Sequence, residues 1–448
     1  SFEEFMNENL DQSNEVIKVF SKYSEVKSYH SVPTVQKSGR LHLNENLFKP
    51  SPKCLEVLKN ITMEDLYLYD LGRNDELVET LSSSLGISSN NIFIHNGSAE
   101  VIKSIGSILL NENDIVLVPS PGWSYYKSVA DAKFAKCITY EVCEKEDTYE
   151  YNIDDLLQKA KENNPKVIII TSPQMPTGCG ISYNDIEKVI KENINSIILL
   201  DEAYWGYGND DNKFEKKIIT QYSNVVITRT FSKFYGLADI RIGYGLCSYP
   251  LRRTICLDLP LFRACGISRK IAVAAIKDKE YYRKMKAETN AVREWFSSEL
   301  NKISGVKAYK SESNFVFIKL ENADANRVRA YMEENGKPGV DTAGFFDDFA
   351  TLQIGIVMAG NPDGSAELEQ KLVSGVVFLL LGDAERGVLG NVVFDVDVAF
   401  ELFKAGNIGV FGPKVQVIRR QPGCRRSSIY IDYHDQENRT EHVSEAPN

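Results

Sequence analysis

Four polar residues stand at spacings that suit amine and carboxylate chemistry. Lys233 and Arg241 lie eight residues apart in the stretch TFSKFYGLADIRIGYG, residues 230–245. Asp201 and Tyr204 belong to the segment DEAYW, which follows a run of apolar residues. Because a partly desolvated lysine is a better nucleophile than a solvated one, these residues predict a site where an amine reacts beside a carboxylate.

The elements that must position these residues are short, continuous apolar runs that end in polar, Gly or Pro residues. Four such runs cover residues 114–121, 166–173, 196–205 and 224–233. Continuous apolar residues are typical of strands buried on both faces of a parallel sheet. Helical patterns between the runs, such as the one that begins at Ser98, complete an α/β fold. Since open sheets of this kind bind ligands beyond the carboxyl ends of their strands, we expect the polar tails to meet at one site.

The pattern along the chain predicts four parts. They are an N-terminal arm, a large domain with the parallel sheet, a hinge helix with a small α+β domain, and an unassigned C-terminal extension, at residues 1–40, 41–267, 268–382 and 383–448. The helical pattern from Arg269 to about Leu300 predicts one long hinge helix. The segment SNFVFIKL, from Ser313 to Leu320, predicts a strand of the small domain.

Composition and charge exclude several classes of function. The chain has 448 residues, of which 43% are hydrophobic and 25% charged, and its formal net charge is −10. This acidic balance argues against nucleic acid or an anionic membrane as a partner. The longest apolar run, VVFLLL, is too short to span a bilayer. Neither the eight cysteines nor the five histidines show metal-ligand spacing. Together with the absence of a signal-peptide pattern, this predicts a cytoplasmic protein.

Each of the candidate residues meets one requirement of pyridoxal phosphate. Lys233 offers an amine that forms a Schiff base with the aldehyde, and a buried carboxylate such as Asp201 keeps the pyridine nitrogen protonated. Tyr204 can donate to the phenolic oxygen of the ring, and Trp123 can stack on its face. A helix N-terminus, hydroxyl donors and a guanidinium suit the phosphate. The candidates for this role are Gly97, Ser98, Ala99, Thr230, Ser232 and Arg241.

The segments DEAYW, TFSKFYGLADIRIGYG, NGSAE and SPQMPTG resemble signatures of the class I/II pyridoxal-phosphate aminotransferases, closest to the histidinol-phosphate aminotransferase branch. The resemblance covers about residues 41–320 and implies the α/β fold of the fold-type-I transferases. It implies that Lys233 is the Schiff-base lysine, and that Tyr69 reaches the phosphate of the neighbouring subunit in a homodimer. It also implies substrate contacts for Asn44, Asn314 and Gln353, although packing or surface roles for Asn314 and Gln353 stay open.

Several positions depart from the family pattern. Met175 replaces an asparagine that contacts the ring oxygen, and a thioether cannot replace an amide donor unless the neighbouring Gln174 takes over. Ala99 replaces an aspartate, and Asp239 replaces a glycine beside the phosphate arginine. Gln353 replaces the arginine that grips the substrate carboxylate, which removes a charge-assisted hydrogen bond worth about 1.5–3 kcal/mol.

Three functions therefore follow from the sequence. The leading one is transamination between a small-molecule amino donor and acceptor, with Lys233 as general acid and base. Loss of the carboxylate arginine at Gln353 favours, as an alternative, decarboxylation of a phosphorylated amino acid. Met175 and Gln353 together keep open a catalytically silent homologue that acts as a binding partner. Nicotinamide chemistry ranks far lower, since no GxGxxG motif follows a strand.

Overall fold

The computed structural model describes most of the chain as far as residue 320, together with the backbone of one later strand. The described ranges are residues 22–23, 43–46, 48–69, 75–208, 212–258, 264–320 and 351–355. The predicted extension at 383–448 and nearly all of the predicted arm at 1–40 lie outside the described residues. The predicted domain boundaries therefore stay predictions.

An eight-stranded sheet carries the candidate site. Its strands are β1 (Ile92–His95), β2 (Ile115–Ser120), β3 (Lys136–Glu144), β4 (Tyr149–Tyr151), β5 (Val167–Thr171), β6 (Ile197–Asp201), β7 (Val225–Thr230) and β8 (Gly243–Cys247). They lie in the order β1-β8-β7-β6-β5-β2-β3-β4. The five strands from β3 to β7 in this order are parallel neighbours, whereas the pairings that involve β1, β4 and β8 are antiparallel. The four continuous apolar runs form β2, β5, β6 and β7, so the prediction of buried parallel strands is confirmed.

Helices cover both faces of this sheet. They are α1 (Pro52–Lys59), α2 (Glu64–Tyr67), α3 (Glu76–Leu85), α4 (Ser98–Leu109), α5 (Tyr125–Asp131), α6 (Ile153–Asn163), α7 (Tyr183–Glu192), α8 (Lys213–Gln221), α9 (Tyr249–Ile255), α10 (Gly266–Lys277) and α11 (Lys279–Leu300). Alternate residues of β6 enter two buried clusters, because strand side chains point to opposite faces in turn. Ile198 and Leu200 join the cluster that contains residues of α7 and α8, while Leu199 joins the cluster that contains residues of α4 and α5.

A membrane span is not found among these helices. None of those within the described ranges combines the length and the apolar character that crossing a bilayer requires. The cytoplasmic location stays a prediction from the sequence.

The prediction of one long helix from Arg269 to Leu300 is wrong. The structure has two helices, α10 and α11, separated at Asp278. Asp278 adopts φ −94° and ψ 58°, outside the helical range. Its carboxylate accepts hydrogen bonds from the Ser51 hydroxyl and the Lys53 amine at the start of α1. An aspartate with partners elsewhere favours a helix end over a helix interior, which explains the break.

A second sheet of three antiparallel strands follows α11. Its strands are β9 (Val306–Ala308), β10 (Phe315–Leu320) and β11 (Thr351–Gly355), in the order β11-β10-β9. The strand predicted in SNFVFIKL is therefore confirmed as β10. Phe317 of β10 packs against Tyr149 of β4, with ring centroids 5.4 Å apart. This contact joins the small sheet to the edge of the large one.

Candidate active site

The predicted catalytic residues lie at the carboxyl ends of two neighbouring strands. Asp201 is the last residue of β6, and Tyr204 lies in the turn that follows. Thr230 is the last residue of β7, and Lys233 comes three residues later. Because β6 and β7 are parallel neighbours, their polar ends lie side by side, as expected for an open α/β sheet.

Asp201 is a buried carboxylate held by two donors. It is 1% exposed, the Tyr126 hydroxyl donates to its Oδ2 at 2.7 Å, and the Ala203 N–H donates to its Oδ1 at 3.1 Å. Burial raises the pKa of Asp201 to about 6, and the two hydrogen bonds oppose this rise. Asp201 does not cap a helix, because a turn follows it and α8 begins only at Lys213.

Lys233 is an amine that gives up its proton more easily than a solvated lysine. Its Nζ lies 5.7 Å from the centre of the Tyr204 ring. Burial lowers the pKa of Lys233 to about 8, while the nearby Glu45 raises this pKa and Arg241 lowers it. A sizeable fraction of the amine is therefore neutral in the pH range where most enzymes work, as a nucleophile requires.

Residues 43–46 contact both Lys233 and Tyr204. The Lys233 amine donates to the backbone carbonyl of Leu43, and the Asn44 side-chain amide donates to the Tyr204 hydroxyl at 2.9 Å. The Asn314 side chain donates to the backbone carbonyl of Asn44 at 3.1 Å. The Oδ1 atom of Asn44 is buried and has no hydrogen-bond partner among the described residues. The structure therefore brings the predicted substrate residues Asn44 and Asn314 together and leaves a buried acceptor on the Asn44 side chain.

An anion cradle forms where the start of α4 meets β8. Gly97 is the N-cap of α4 with φ +94°, and Ser98 opens the helix, whose first N–H groups have no partner within the helix. A Cβ atom on Gly97 would lie 2.6 Å from Nη2 of Arg241, and a Cβ atom on Gly243 would lie 2.4 Å from the carbonyl carbon of Gly97. Gly243 needs glycine because a Cβ atom there would overlap backbone, and Gly97 needs glycine because its φ lies in a region that other residues rarely adopt.

The side chains around this cradle supply further donors. Arg241 adopts φ +54°, a conformation that is rare for residues other than Gly, Asn and Asp. Its guanidinium donates to the Ala238 carbonyl at 2.7 Å and to the Ser232 hydroxyl at 3.3 Å. The Thr230 hydroxyl donates to the Ser232 hydroxyl at 3.0 Å. A guanidinium, two hydroxyls and a helix N-terminus thus converge, which is the donor set that a phosphate dianion requires.

The remaining predicted cofactor residues lie at the rim of the site or on the surface. The ring of Trp123 lies 5.6 Å from that of Tyr126, the residue that binds Asp201. The backbone carbonyl of Ala99, in the first turn of α4, lies 3.5 Å from the Tyr125 hydroxyl. Tyr69 is 70% exposed, so the structure places this residue at the surface of its own chain.

The departures from the family pattern have different structural outcomes. Gln174 is fully buried, donates to the Pro121 carbonyl and accepts from the Thr177 backbone and hydroxyl. These contacts hold Gln174 in its own loop, so they do not support it as the replacement donor for the ring oxygen. Met175 packs against the larger buried cluster. Gln353 lies in β11 opposite Phe317, and its side chain is outside what the structure describes.

Two features of the site were not predicted from the sequence. The sequence suggests no polar role for Tyr126, yet its hydroxyl contacts both Asp201 and Thr171. The sequence suggests no partner for Glu202, yet its carboxylate lies 2.6 Å from the buried guanidinium of Arg229. A signal existed for the second feature, since an arginine inside an otherwise apolar strand requires a buried partner.

The parallel sheet, the desolvated lysine and the anion cradle fit a pyridoxal-phosphate-dependent enzyme of fold type I. The model of the family Aminotransferase class I and II matches residues 40–340, more than half of the chain. The chain belongs to this family, and it is a pyridoxal-phosphate-dependent aminotransferase. The predicted family, cofactor and class of enzyme are therefore confirmed.

Curated relatives point to the same branch. Histidinol-phosphate aminotransferase from Methanocaldococcus jannaschii is 29% identical over 323 residues, which cover 70% of this chain and 84% of that relative. The protein of the same name from Clostridium botulinum strain Okra is 30% identical over 299 residues, covering 66% and 81%. These relatives support the aminotransferase prediction over the decarboxylase and the silent homologue.

Solved structures confirm the fold. Histidinol-phosphate aminotransferase from Sinorhizobium meliloti, in complex with pyridoxal-5'-phosphate, matches with a TM-score of 0.66 and 23% identity over 76% of this chain and 91% of that one. The enzyme of the same name from Clostridium acetobutylicum matches with a TM-score of 0.68 and 20% identity over 77% and 98%. The predicted fold class is thus confirmed.

Proposed function

We propose that this chain transfers the amino group of a small phosphorylated amine of the histidinol phosphate kind, with Lys233, Asp201 and Tyr204 as its catalytic residues. The observation that carries the proposal is the grouping of a desolvated amine and a buried carboxylate at adjoining strand ends. The names of the curated relatives support the substrate class.

The residues present fit the cofactor. The buried Oδ1 of Asn44 and the glycine-lined cradle leave polar contacts that a phosphorylated ring compound would complete. When bound, pyridoxal phosphate supplies an aldehyde that joins to amines and a ring that withdraws electrons from the substrate carbon. The phosphate would be held by Gly97, Ser98, Ala99, Thr230, Ser232 and Arg241.

The catalytic side chains then have separate tasks. Asp201 holds a proton on the pyridine nitrogen, since its carboxylate keeps lone pairs beyond those that its two protein donors use. Lys233 acts first as the nucleophile and then moves the proton at the amino-bearing carbon of the substrate. Tyr204 orients the phenolic oxygen of the ring, and Trp123 stacks on the ring face.

Chemical trapping tests the role of Lys233. After incubation with pyridoxal phosphate and reduction with borohydride, peptide mass spectrometry should find the added pyridoxyl group on Lys233. Lys233→Ala should lose this label and at least about 10²- to 10⁴-fold in turnover, because it removes the general acid and base. Lys127→Ala is the matched control, since Lys127 forms an exposed ion pair with Asp131 on α5. A label on another lysine would contradict the assignment.

A comparison of amines tests the substrate class. The spectral change of the bound cofactor should be faster with histidinol phosphate than with histidinol, by about 10- to 100-fold in kcat/KM, the equivalent of one charge-assisted hydrogen bond. Turnover should require a keto acid as acceptor. Carbon dioxide release from a phosphorylated amino acid without any keto acid would instead establish decarboxylation and overturn the proposal.

We also propose a homodimer in which Tyr69 enters the partner's site. Seven large apolar side chains in residues 55–69 are exposed: Leu55, Leu58, Met63, Leu66, Tyr67, Leu68 and Tyr69. Exposed apolar side chains concentrated in one short segment favour an interaction site there. Leu66→Glu should shift the sedimentation coefficient towards that of a monomer, whereas Tyr69→Phe should keep the dimer and weaken cofactor binding. An unaltered sedimentation coefficient for Leu66→Glu would contradict the interface.

A further inference from the structure

The hydroxyl of Tyr126 bridges the ends of two central strands. Tyr126 is the second residue of α5 and is 2% exposed. Its hydroxyl oxygen lies 2.7 Å from Oδ2 of Asp201 and 2.9 Å from Oγ1 of Thr171. Thr171 and Asp201 are register partners at the carboxyl ends of β5 and β6. One phenol therefore contacts both strand ends at the place where the proposed cofactor nitrogen would lie.

Counting hydrogens fixes the direction of these bonds. A phenol has one hydrogen, and an ionised carboxylate can only accept. The hydrogen of Tyr126 therefore goes to Asp201, and Thr171 donates its own hydroxyl hydrogen to the phenol oxygen. Burial raises the pKa of Tyr126 well above its ordinary value. This rise favours the protonated phenol, the form that donates to Asp201.

We infer that Tyr126 is a positioning residue that fixes the orientation and the negative charge of the Asp201 carboxylate. This inference rests on the proposed function, which assigns Asp201 to the pyridine nitrogen. The Ala203 N–H holds Oδ1 and the Tyr126 hydroxyl holds Oδ2, so the carboxylate cannot rotate without losing one of them. The Tyr126 hydrogen bond also opposes the rise in the pKa of Asp201 that burial causes. Without the hydroxyl, a larger share of Asp201 would be protonated and unable to hold the ring nitrogen.

A pair of tyrosine variants tests this inference. Tyr126→Phe keeps the ring, which packs in the buried cluster with Val101 and Ile102 of α4, and removes only the hydroxyl. We expect the dissociation constant for pyridoxal phosphate to rise about 10-fold and kcat to fall about 10-fold, with KM for the amino donor unchanged, as for one lost hydrogen bond to a charged group. Tyr140→Phe is the matched control, because Tyr140 is also fully buried but donates to the Ile169 carbonyl at 2.8 Å.

The variant Asp201→Asn, measured in parallel, distinguishes a failure of the role of Tyr126 from a failure of the proposed role of Asp201. Loss of cofactor affinity in Tyr126→Phe and Asp201→Asn, but not in Tyr140→Phe, supports the inference. If Asp201→Asn loses affinity while Tyr126→Phe behaves like Tyr140→Phe, the positioning role is overturned and the proposed function stands. If Asp201→Asn binds the cofactor like the unaltered protein, the assignment of Asp201 is overturned, and the role of Tyr126 with it.

Discussion

Asp201 and Glu202 are consecutive carboxylates at the end of one strand, yet they lie in opposite surroundings. By the alternation of strand side chains, Asp201 shares the face of Leu199 and α5, while Glu202 shares the face of Leu200 and α8. Asp201 meets the neutral donors Tyr126 and Ala203, whereas Glu202 meets the guanidinium of Arg229. A carboxylate with neutral donors keeps its charge available to a ligand, and one beside a buried cation has that charge already compensated. The comparison separates the proposed catalytic carboxylate, Asp201, from one whose charge is compensated within the protein, Glu202.

The surroundings of Glu202 form a closed buried cluster. Arg229 lies 2.6 Å from Glu202 and 3.3 Å from Glu215, and its guanidinium stacks 3.8 Å above the centre of the Trp205 ring. Burial raises the pKa of Glu202 to about 8, although Arg229 opposes this rise. The carboxylate of Glu215 adds to this rise, because two like charges facing one guanidinium repel each other. Such a cluster contributes to the structure but offers no charge to a substrate.

The largest effect is expected from removing the shared cation. Arg229→Met leaves two buried carboxylates without a counter-charge, which should lower the free energy of unfolding by about 3–5 kcal/mol. Urea denaturation monitored by circular dichroism measures this loss. The triple variant Arg229→Met, Glu202→Gln, Glu215→Gln should recover most of it, since no charge is then left buried. A loss below about 1 kcal/mol in the single variant would show that the cluster is not what stabilises this face.

The second effect separates the two carboxylates by activity. Asp201→Asn should lower kcat/KM about 10²- to 10³-fold, because it removes a charge that acts on the reacting system, and it should not lower the free energy of unfolding, because it also removes a buried charge. Glu202→Gln should show the reverse pattern, with a loss of stability and a much smaller loss of kcat/KM. Equal kinetic losses in both variants would remove the distinction between the two faces.

The pH dependence of stability gives the third prediction. The pKa of Asp201 rises from its ordinary 3.8 to about 6 on folding, so the folded protein binds more protons than the unfolded chain between these values. The contribution of Asp201 to stability should therefore fall as the pH rises through this window, by about 3 kcal/mol in total. Urea denaturation of the cofactor-free protein from pH 4 to pH 7 measures the slope. Asp201→Asn should reduce this slope and leave the part that the raised pKa of Glu202 contributes, and an unchanged slope in that variant would place the titrating group elsewhere.

The smallest effect concerns Trp205, whose ring stacks on the Arg229 guanidinium beside Glu202. Trp205→Leu should lower the free energy of unfolding by about 0.5–2 kcal/mol, because it removes the ring face from Arg229. Trp205→Phe should retain part of this energy, since phenylalanine offers a weaker face. If both variants lose the same amount, packing rather than the cation–π contact explains the result.

The sequence predicts one side of this comparison better than the other. Asp201 and Lys233 follow continuous apolar runs, and the carboxyl ends of parallel strands share one edge, so their meeting could be predicted. The partners of Glu202 could not, because Arg229 lies on the next strand and Glu215 on a later helix, and only the packed sheet brings them together. Asp278 shows the same limit, since the helical pattern continues across it while its carboxylate bonds to α1.

The anion cradle at Gly97 and Gly243 is less free to change in sequence than the part of the site that contains Asn44 and Asn314. At Gly97 and Gly243 the main chain itself makes the fit, and a Cβ atom at either position would occupy the space of a neighbouring backbone or guanidinium. This backbone part of the anion cradle therefore tolerates no larger residue. Near Tyr204, by contrast, Asn44 and Asn314 contribute side-chain amides, which a single codon change would alter. Divergence towards a new amine would accordingly begin there, with the anionic handle of the cofactor still held as before.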